Sequence, residues 1–246
     1  MGYLLRLHLS CLWLITVLGQ PTQYACDQSG LICGCGRVKV VTQASVIDGE
    51  DAIPHSWPMI VSIRFDCRST GDSNTHCCDG TILSESVILT ASDCVDGLTE
   101  DPLLSNVTVV AGLHHRSDRG RWIGQVQSIV RHPTTIHQQW KIKHAIALLH
   151  LSSPLDLASE HSIVRTCLLS PSTTGGSSSS VSSKKIGPLL AVGWDLDNLQ
   201  QTEVHLLDNG DPACASSAHA AQGQLCIQFG RHRQSSPFSP QACNRM

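Results

Sequence analysis

The sequence predicts an all-β protein built from short antiparallel strands. Within residues 76–94, two apolar runs, 81–83 and 87–90, are separated by the polar residues 84–86, which is typical of two strands joined by a turn. Aromatic residues make up only 4% of the chain, so Val, Ile and Leu must fill most of any barrel core. Further apolar runs with strand character follow at 59–64, 107–111, 126–130, 189–194 and 201–207.

The composition excludes several functional classes. The chain has 246 residues and is 41% hydrophobic, enough for one large domain or two small ones with a buried core. Its net charge is -3 and no basic cluster occurs, which argues against nucleic acid or an anionic membrane as a partner. No Cys-x-x-Cys pair and no His-Glu-x-x-His motif occurs, so the sequence predicts no metal site and no cofactor.

The first 20 residues are typical of a signal peptide. Arg6 precedes a largely apolar run at 7–18, and the small residue Gly19 follows it, as cleavage by signal peptidase requires. The run is too short to span a membrane, and no second apolar stretch of spanning length occurs. We therefore expect a secreted, extracellular protein. The alternative, a buried N-terminal helix, leaves the charged-then-apolar order unexplained.

The cysteine count is odd once the signal peptide is removed. The chain contains 12 cysteines, and loss of Cys11 with the signal peptide leaves 11. In a secreted chain an odd number indicates an intermolecular bridge, a free thiol or a missing partner.

Several motifs in the same order carry a resemblance to a known family. Residues 46–58, VIDGEDAIPHSWP, follow the pattern Ile-Val-Gly-Gly-Glu-x-Ala. The segment 76–94 follows Cys-Gly-Gly-Ser, a strand pair and Thr-Ala-Ala-His-Cys, and AVGWD at 191–195 follows Val-x-Gly-Trp-Gly. Over residues 46–227 the sequence therefore resembles the chymotrypsin/trypsin-type serine peptidases.

The resemblance implies two antiparallel β-barrels of the trypsin-like type, the second of them incomplete. Low-complexity composition also indicates a flexible loop between the barrels. The expected order is a signal peptide at 1–20, a cysteine-bearing pro-segment at 21–45, a first barrel at 46–170, a Ser/Gly-rich loop at 171–187, and a partial second barrel with a degenerate tail at 188–246.

The resemblance also implies that no catalytic residue is intact. Asp93 stands where the family has its catalytic histidine, and Ala145 stands where the family has the aspartate of Asp-Ile-Ala-Leu-Leu. The Gly-Asp-Ser-Gly-Gly segment with the nucleophile would begin about where the chain stops at Met246, so we expect the nucleophile to be absent. His144 precedes Ala145, but neighbouring strand residues point to opposite faces, and we expect it at the rim.

Four disulfides and one modification site complete the expected features. Residue spacing and the family pattern together predict pairs between Cys78 and Cys94, Cys214 and Cys226, and Cys67 and Cys77. The resemblance pairs Cys167 with the pro-segment, through either Cys33 or Cys35, and sequence does not choose between them. Asn106 opens an Asn-Val-Thr sequon, which predicts glycosylation.

Two functional interpretations remain open from the sequence. The first is a secreted, catalytically silent peptidase homologue that binds a protein partner through its first barrel. The second is a serine endopeptidase lineage, with proteolysis as its activity, of which this chain is a truncated or degenerate copy. Asp93 and Ala145 favour the first interpretation, because both lack the chemistry that the triad requires.

Overall fold

In the computed structural model of the protein, short β-strands joined by loops are distributed along the chain. The described residues are 22–24, 33–34, 38–42, 49–98, 103–133, 136–138, 141–143, 145–158, 162–168, 189–194, 197–207, 211 and 226–229. The first seven strands are β1 (Thr22–Tyr24), β2 (Val40–Thr42), β3 (Glu50–Asp51), β4 (Ile60–Arg64), β5 (His76–Ser84), β6 (Val87–Ala91) and β7 (Thr108–Ala111). The other seven are β8 (Trp122–Arg131), β9 (Ile136–Gln138), β10 (Lys141–Lys143), β11 (Ile146–Leu151), β12 (Leu189–Gly193), β13 (Gln200–Leu207) and β14 (Cys226–Phe229). One short 3-10 helix, Leu104–Asn106, precedes β7.

Six antiparallel strands close into a barrel. Their order around the barrel is β11, β6, β5, β4, β7 and β8, and β8 pairs with β11 to close it. Closure leaves no sheet edge, which removes a site where other chains could add a strand. The predicted all-β class is confirmed, as is a first barrel that closes, followed by a second sheet that stays open among the described residues.

Strand alternation places aliphatic side chains in the barrel. Val61 and Ile63 of β4, Ile82 of β5, Ile88 of β6 and Leu149 of β11 are fully buried. They recur at every second position because successive side chains of a strand point to opposite faces. Val, Ile and Leu therefore form most of this core, as the low aromatic content predicts.

Strand β5 is longer than the apolar run from which it was predicted. The run covers 81–83, whereas β5 begins at His76. The added residues pair with β4, since Ile63 lies opposite Cys78 and Arg64 lies opposite His76. Pairing with a neighbouring strand thus extends β5 through polar residues that have no strand signal of their own.

A second, open sheet lies against the barrel. It consists of β12, β13 and β14, with the short β3 paired to the start of β13. We call these four strands the second sheet. β3 lies within the stretch expected to form the first barrel, but its hydrogen bonds join it to the second sheet. A small apolar cluster connects the two bodies and contains Ala52, Val110, Leu113, Trp194 and Leu199.

Backbone hydrogen bonds also fasten the second sheet to the barrel. The carbonyl of His114 accepts from the Trp194 indole Nε1 at 2.8 Å and from the backbone N–H of Leu199 at 2.9 Å. The backbone N–H of Arg116 donates to the Asp197 carbonyl at 2.7 Å. The 112–118 turn between β7 and β8 is therefore the main docking point for the second sheet.

Residues that precede the barrel are attached at two places. Cys33 forms a disulfide with Cys167, and Gly34 donates its N–H to the Arg165 carbonyl at 2.7 Å. The carbonyl of Val41 accepts from Gln201, a fully buried residue of β13. The expected pro-segment thus contacts both the barrel side and the second sheet.

Several predicted features lie outside the described residues. They are the signal peptide at 1–20, the loop at 171–187, His144, Cys35, Cys214 and the tail after Phe229. Within the part of the chain that the structure covers, no helix has the length and apolar character needed to cross a membrane.

Candidate functional site

The two substituted catalytic positions meet at one end of the barrel. β6 and β11 pair in antiparallel register with Ala91 opposite Ile146, so the residue after β6 lies beside the residue before β11. The backbone N–H of Ser92 donates to the carbonyl of Ala145 at 3.1 Å. Asp93 and Ala145, identified separately from sequence, therefore belong to one small site.

The chemistry of this site is that of an isolated carboxylate. Asp93 is half-buried, and its Oδ1 atom is buried without a hydrogen-bond partner among the described residues. The hydroxyl of Ser92, which is fully buried, also has no partner there. Ala145 has no side-chain acceptor, so a base placed at position 93 would lack the carboxylate that orients an imidazole in a triad.

Two disulfides hold the strands that carry the site. Cys78 is joined to Cys94, directly after Asp93, and Cys67 is joined to Cys77 across the loop before β5. Both pairs are those that the sequence predicts. Cys33 is the residue that pairs with Cys167, which decides between the two predicted partners. Cys226 is disulfide-bonded, and its predicted partner Cys214 lies outside the described residues.

A second polar group of residues covers the outer barrel surface that faces the second sheet. Ser62 pairs with Asp79, and Arg64 pairs with His76, as neighbouring cross-strand partners of β4 and β5. They face outward because Val61, Ile63 and Gly80, which alternate with them, face the barrel core. We call Ser62, Arg64, His76 and Asp79 the inter-sheet polar layer.

Three members of this layer are the residue types of a hydrolase triad. The hydroxyl of Ser62 lies 2.8 Å from His76 Nδ1, and Asp79 Oδ1 lies 3.5 Å from His76 Nε2. However, Ser62 is fully buried, and its hydroxyl also accepts from Arg64 Nε at 3.2 Å. A nucleophile must reach its substrate, so this arrangement is a packing element of the interface.

Burial moves the two titratable groups of the layer in opposite directions. Burial, reinforced by Arg116, Arg64 and Arg68, lowers the pKa of His76 from 6.5 to about 4. Burial raises the pKa of Asp79 from 3.8 to about 7, against the opposing effects of a hydrogen bond from the Trp194 backbone and of the Arg116 charge. About a third of the Asp79 side chain is exposed, but its Oδ1 atom is buried. Near neutral pH His76 is therefore uncharged.

Arg64 is the fixed charge of the layer. It is only 3% exposed, and its guanidinium donates to Ser62 Oγ at 3.2 Å and to Asn74 Oδ1 at 3.0 Å. It also donates to the carbonyls of Arg116 at 2.7 Å and Asp118 at 3.2 Å. Neutral acceptors thus surround a buried cation, and burial lowers the pKa of Arg64. This side chain joins the loops that border the docking point.

Sequence analysis did not identify the inter-sheet polar layer. A signal was present, because Asp79 stands where the family pattern Cys-Gly-Gly-Ser has its first glycine. Ser62 and Arg64 alternate with apolar residues in the run 59–64, which indicates one polar face. The burial of this face depends on where the second sheet packs. No residue in the run 59–64 predicts that position.

The predicted modification site lies on the surface of the barrel. Asn106 is exposed at the end of the 3-10 helix, a position open to glycosylation machinery. Among the described residues, no group of three or more His, Cys, Asp or Glu side chains could hold a metal ion.

Comparisons with known proteins agree with the motifs. The family model described as Trypsin matches residues 46–237. Chymotrypsin-C from Mus musculus is 28% identical over 142 residues, which cover 54% of this chain and 46% of that protein. Chymotrypsin-like elastase family member 1 from Homo sapiens is 33% identical over 120 residues, covering 48% and 43%. The chain thus spans less than half the length of these relatives.

Proposed function

Because the chain belongs to the trypsin family, we propose that it is a secreted serine peptidase homologue that has lost catalysis and binds a protein partner. One observation carries the loss of catalysis. The sites of the general base and of its orienting carboxylate lie together, joined by the Ser92 to Ala145 hydrogen bond, and both hold the wrong residue.

The substitutions remove the steps that the fold uses for amide hydrolysis. A carboxylate is a much weaker base than an imidazole toward a serine hydroxyl, so Asp93 is a poor replacement for a catalytic histidine. Ala145 cannot orient or stabilise a charged partner. Removing triad members costs many orders of magnitude in rate because the members act as a unit.

Two further observations support the other parts of the proposal. Three disulfides connect described residues, which fits an oxidising compartment outside the cytosol. The outer barrel surface presents Ile123, Val130 and Ile146 at 59%, 50% and 49% exposure. Val130 and Ile146 are neighbours on the paired strands β8 and β11, because Val130 pairs with Leu148, and contiguous exposed apolar residues are typical of a protein-binding surface.

Proteolysis is the second candidate function, favoured by family membership alone. The deciding experiment treats the purified secreted protein with a fluorophosphonate probe and, separately, with peptide esters. We expect no labelling and no hydrolysis above background, with an active trypsin-type peptidase as the positive control. Stoichiometric labelling of one serine, abolished by replacing that serine with alanine, would establish catalysis and overturn the proposal.

The binding role has its own test. Chemical cross-linking of the secreted protein in its native fluid should give a discrete larger species. Changing Val130 and Ile146 to Asn should remove that species, whereas Glu85→Gln, a change of an exposed residue in the turn between β5 and β6, should not. If the species is absent from the wild type, or survives the double change, binding through this surface is wrong.

A further inference from the structure

The interface between barrel and second sheet contains an unusual pair of buried titratable groups. His76 is covered by Trp194, whose ring centroid lies 5.6 Å away in an edge-to-face arrangement. Asp79 accepts a hydrogen bond from the backbone of the same Trp194. Trp194 directly follows β12 of the second sheet, so undocking of this sheet would expose both groups to water.

The surroundings decide where a proton in this pair resides. The cations that act on His76 are Arg64 from β4, Arg68 from the loop before β5, and Arg116 from the turn after β7. They oppose a second positive charge on the imidazole. Asp118 and Asp72 favour the charged form of Arg64, and Arg116 favours the ionised form of Asp79, against the larger effect of burial. Thr90 from β6 donates to the Asp79 backbone carbonyl, not to its carboxyl group.

The carboxyl group is the remaining place for the proton. Its Oδ1 atom is buried, has no hydrogen-bond partner among the described residues, and points to His76 Nε2 from 3.5 Å. A buried carboxylate with an unpaired oxygen is unstable relative to its protonated form.

From this geometry we infer that His76 and Asp79 form a pair, here called the clasp, in which one proton moves from imidazole to carboxyl when the second sheet docks on the barrel. No proton is gained or lost in this step. The imidazolium loses its proton and becomes neutral, while the carboxylate accepts one proton and becomes neutral. Both groups therefore enter the interface uncharged.

The clasp makes docking almost independent of pH in the wild type. In the undocked form both side chains meet water, so we take the ordinary pKa values of 6.5 for His76 and 3.8 for Asp79, and the proton is on the imidazole between these values. In the docked form the values are about 4 and about 7, so the proton is on the carboxyl group. Between about pH 4 and pH 6.5 the docked and the undocked form each hold one proton on this pair. Because the two forms bind equal numbers of protons, docking does not depend on pH in this range.

Removing either partner should make docking depend on pH, with opposite signs. In Asp79→Asn only the lowered pKa of His76 remains. The undocked form then takes up a proton as pH falls below 6.5 and the docked form does not, so docking weakens toward acid. In His76→Gln only the raised pKa of Asp79 remains. The undocked form then loses its proton at lower pH than the docked form, so docking weakens as pH rises toward about 7.

Hydrogen exchange on the full chain tests this directly. Protection of β12 and β13 amides is measured relative to β6 amides, with correction for intrinsic exchange, at about pH 5 and about pH 8. We expect a change below about fivefold in the wild type and above about tenfold in each variant, in opposite directions. Glu85→Gln, an exposed carboxylate of the same hairpin, should behave as the wild type.

A second measurement does not depend on the variants folding well. With aspartate side-chain carboxyl carbons labelled for NMR, the Asp79 signal of the wild type should titrate near pH 7, and His76 should stay neutral down to about pH 4. An Asp79 midpoint below about 4.5, close to the reference value, would overturn the clasp. A wild-type docking equilibrium that changes more than tenfold over the same pH range would also overturn it.

Discussion

The backbone N–H of Ser92 donates to the carbonyl of Ala145 at 3.1 Å, which brings together two positions 52 residues apart in the chain, at 93 and 145. This hydrogen bond explains why the two substitutions should be read as one change. A histidine at position 93 and an aspartate at position 145 would be close enough to interact, and neither is useful without the other.

A double-mutant cycle can measure that coupling. Ala145→Asp alone places a second carboxylate beside Asp93, and we expect it to lower the free energy of unfolding by about 1 kcal/mol, since like charges repel. Combined with Asp93→His, the loss should shrink by about 0.5 to 3 kcal/mol, the usual range for contacting residues. Urea unfolding of the four proteins gives the coupling energy, and Ala145→Asn is the uncharged control. Additive effects would mean that the two side chains do not meet.

Arg64 should be irreplaceable by lysine. Lys keeps the charge but lacks the planar fork that donates to Ser62, Asn74 and two carbonyls. We expect Arg64→Lys to lower the free energy of unfolding by on the order of 3 kcal/mol, because several buried acceptors lose their donor. Arg119→Lys, at an exposed position of the nearby turn, should change it by less than about 0.5 kcal/mol. Equal effects of the two changes would contradict the assigned role.

Gln201 should attach the segment before the barrel to the second sheet. Its amide nitrogen donates to the Val41 carbonyl at 2.8 Å and to Glu50 Oε1 at 2.9 Å, and its oxygen accepts from Trp57 Nε1 at 2.8 Å. In Gln201→Leu, hydrogen exchange at residues 40–42 should rise at least about tenfold, since the loss of one hydrogen bond with its partner left unpaired is worth 1 to 3 kcal/mol. Glu203→Gln, exposed on the same strand, is the control. Unchanged protection at 40–42 would show that the disulfide at Cys33 suffices.

Gly80 should tolerate no side chain while Ile88 is present. A Cβ at position 80 would lie 2.8 Å from Ile88 Cγ2 and 3.0 Å from Val61 Cγ2, inside the normal contact distance. We expect Gly80→Ala to destabilise the barrel by about 1 to 3 kcal/mol through overpacking. Ile88→Leu, which removes the Cγ2 methyl, should recover part of that loss when the two changes are combined. Thermal unfolding of the single and double variants measures this, and a double variant no better than additive would place the strain elsewhere.

Much of the fold could be predicted from local sequence. The runs 59–64, 107–111 and 126–130 correspond to β4, β7 and β8 within a few residues, because alternation of apolar and polar side chains is a property of the strand itself. The ends were less predictable, as β5 shows. Its first residues become a strand only through pairing with β4, which no local pattern encodes.

The candidate site could be predicted only where a single residue departs from a family motif or matches one. Asp93 and Ala145 are visible as departures from ordered motifs, and the spacing of Cys67, Cys77, Cys78 and Cys94 together with the family pattern predicts the pairs that the structure contains. The inter-sheet polar layer was not predictable in this way. Asp79 differs from the family pattern, but the difference acquires meaning only when His76 and Trp194 are found beside it.

The sequence by itself determined the family and the all-β class, and it located the two substituted triad positions, because each depends on residue type at ordered positions. Tertiary structure decided which polar residues are buried together. Gln201 meets Val41 across 160 positions, and Trp194 donates to His114 across 80. The physical reason is that burial, and with it the pKa of His76 and Asp79, depends on the sheet packed over them. That packing results from the register of strands far apart in the chain.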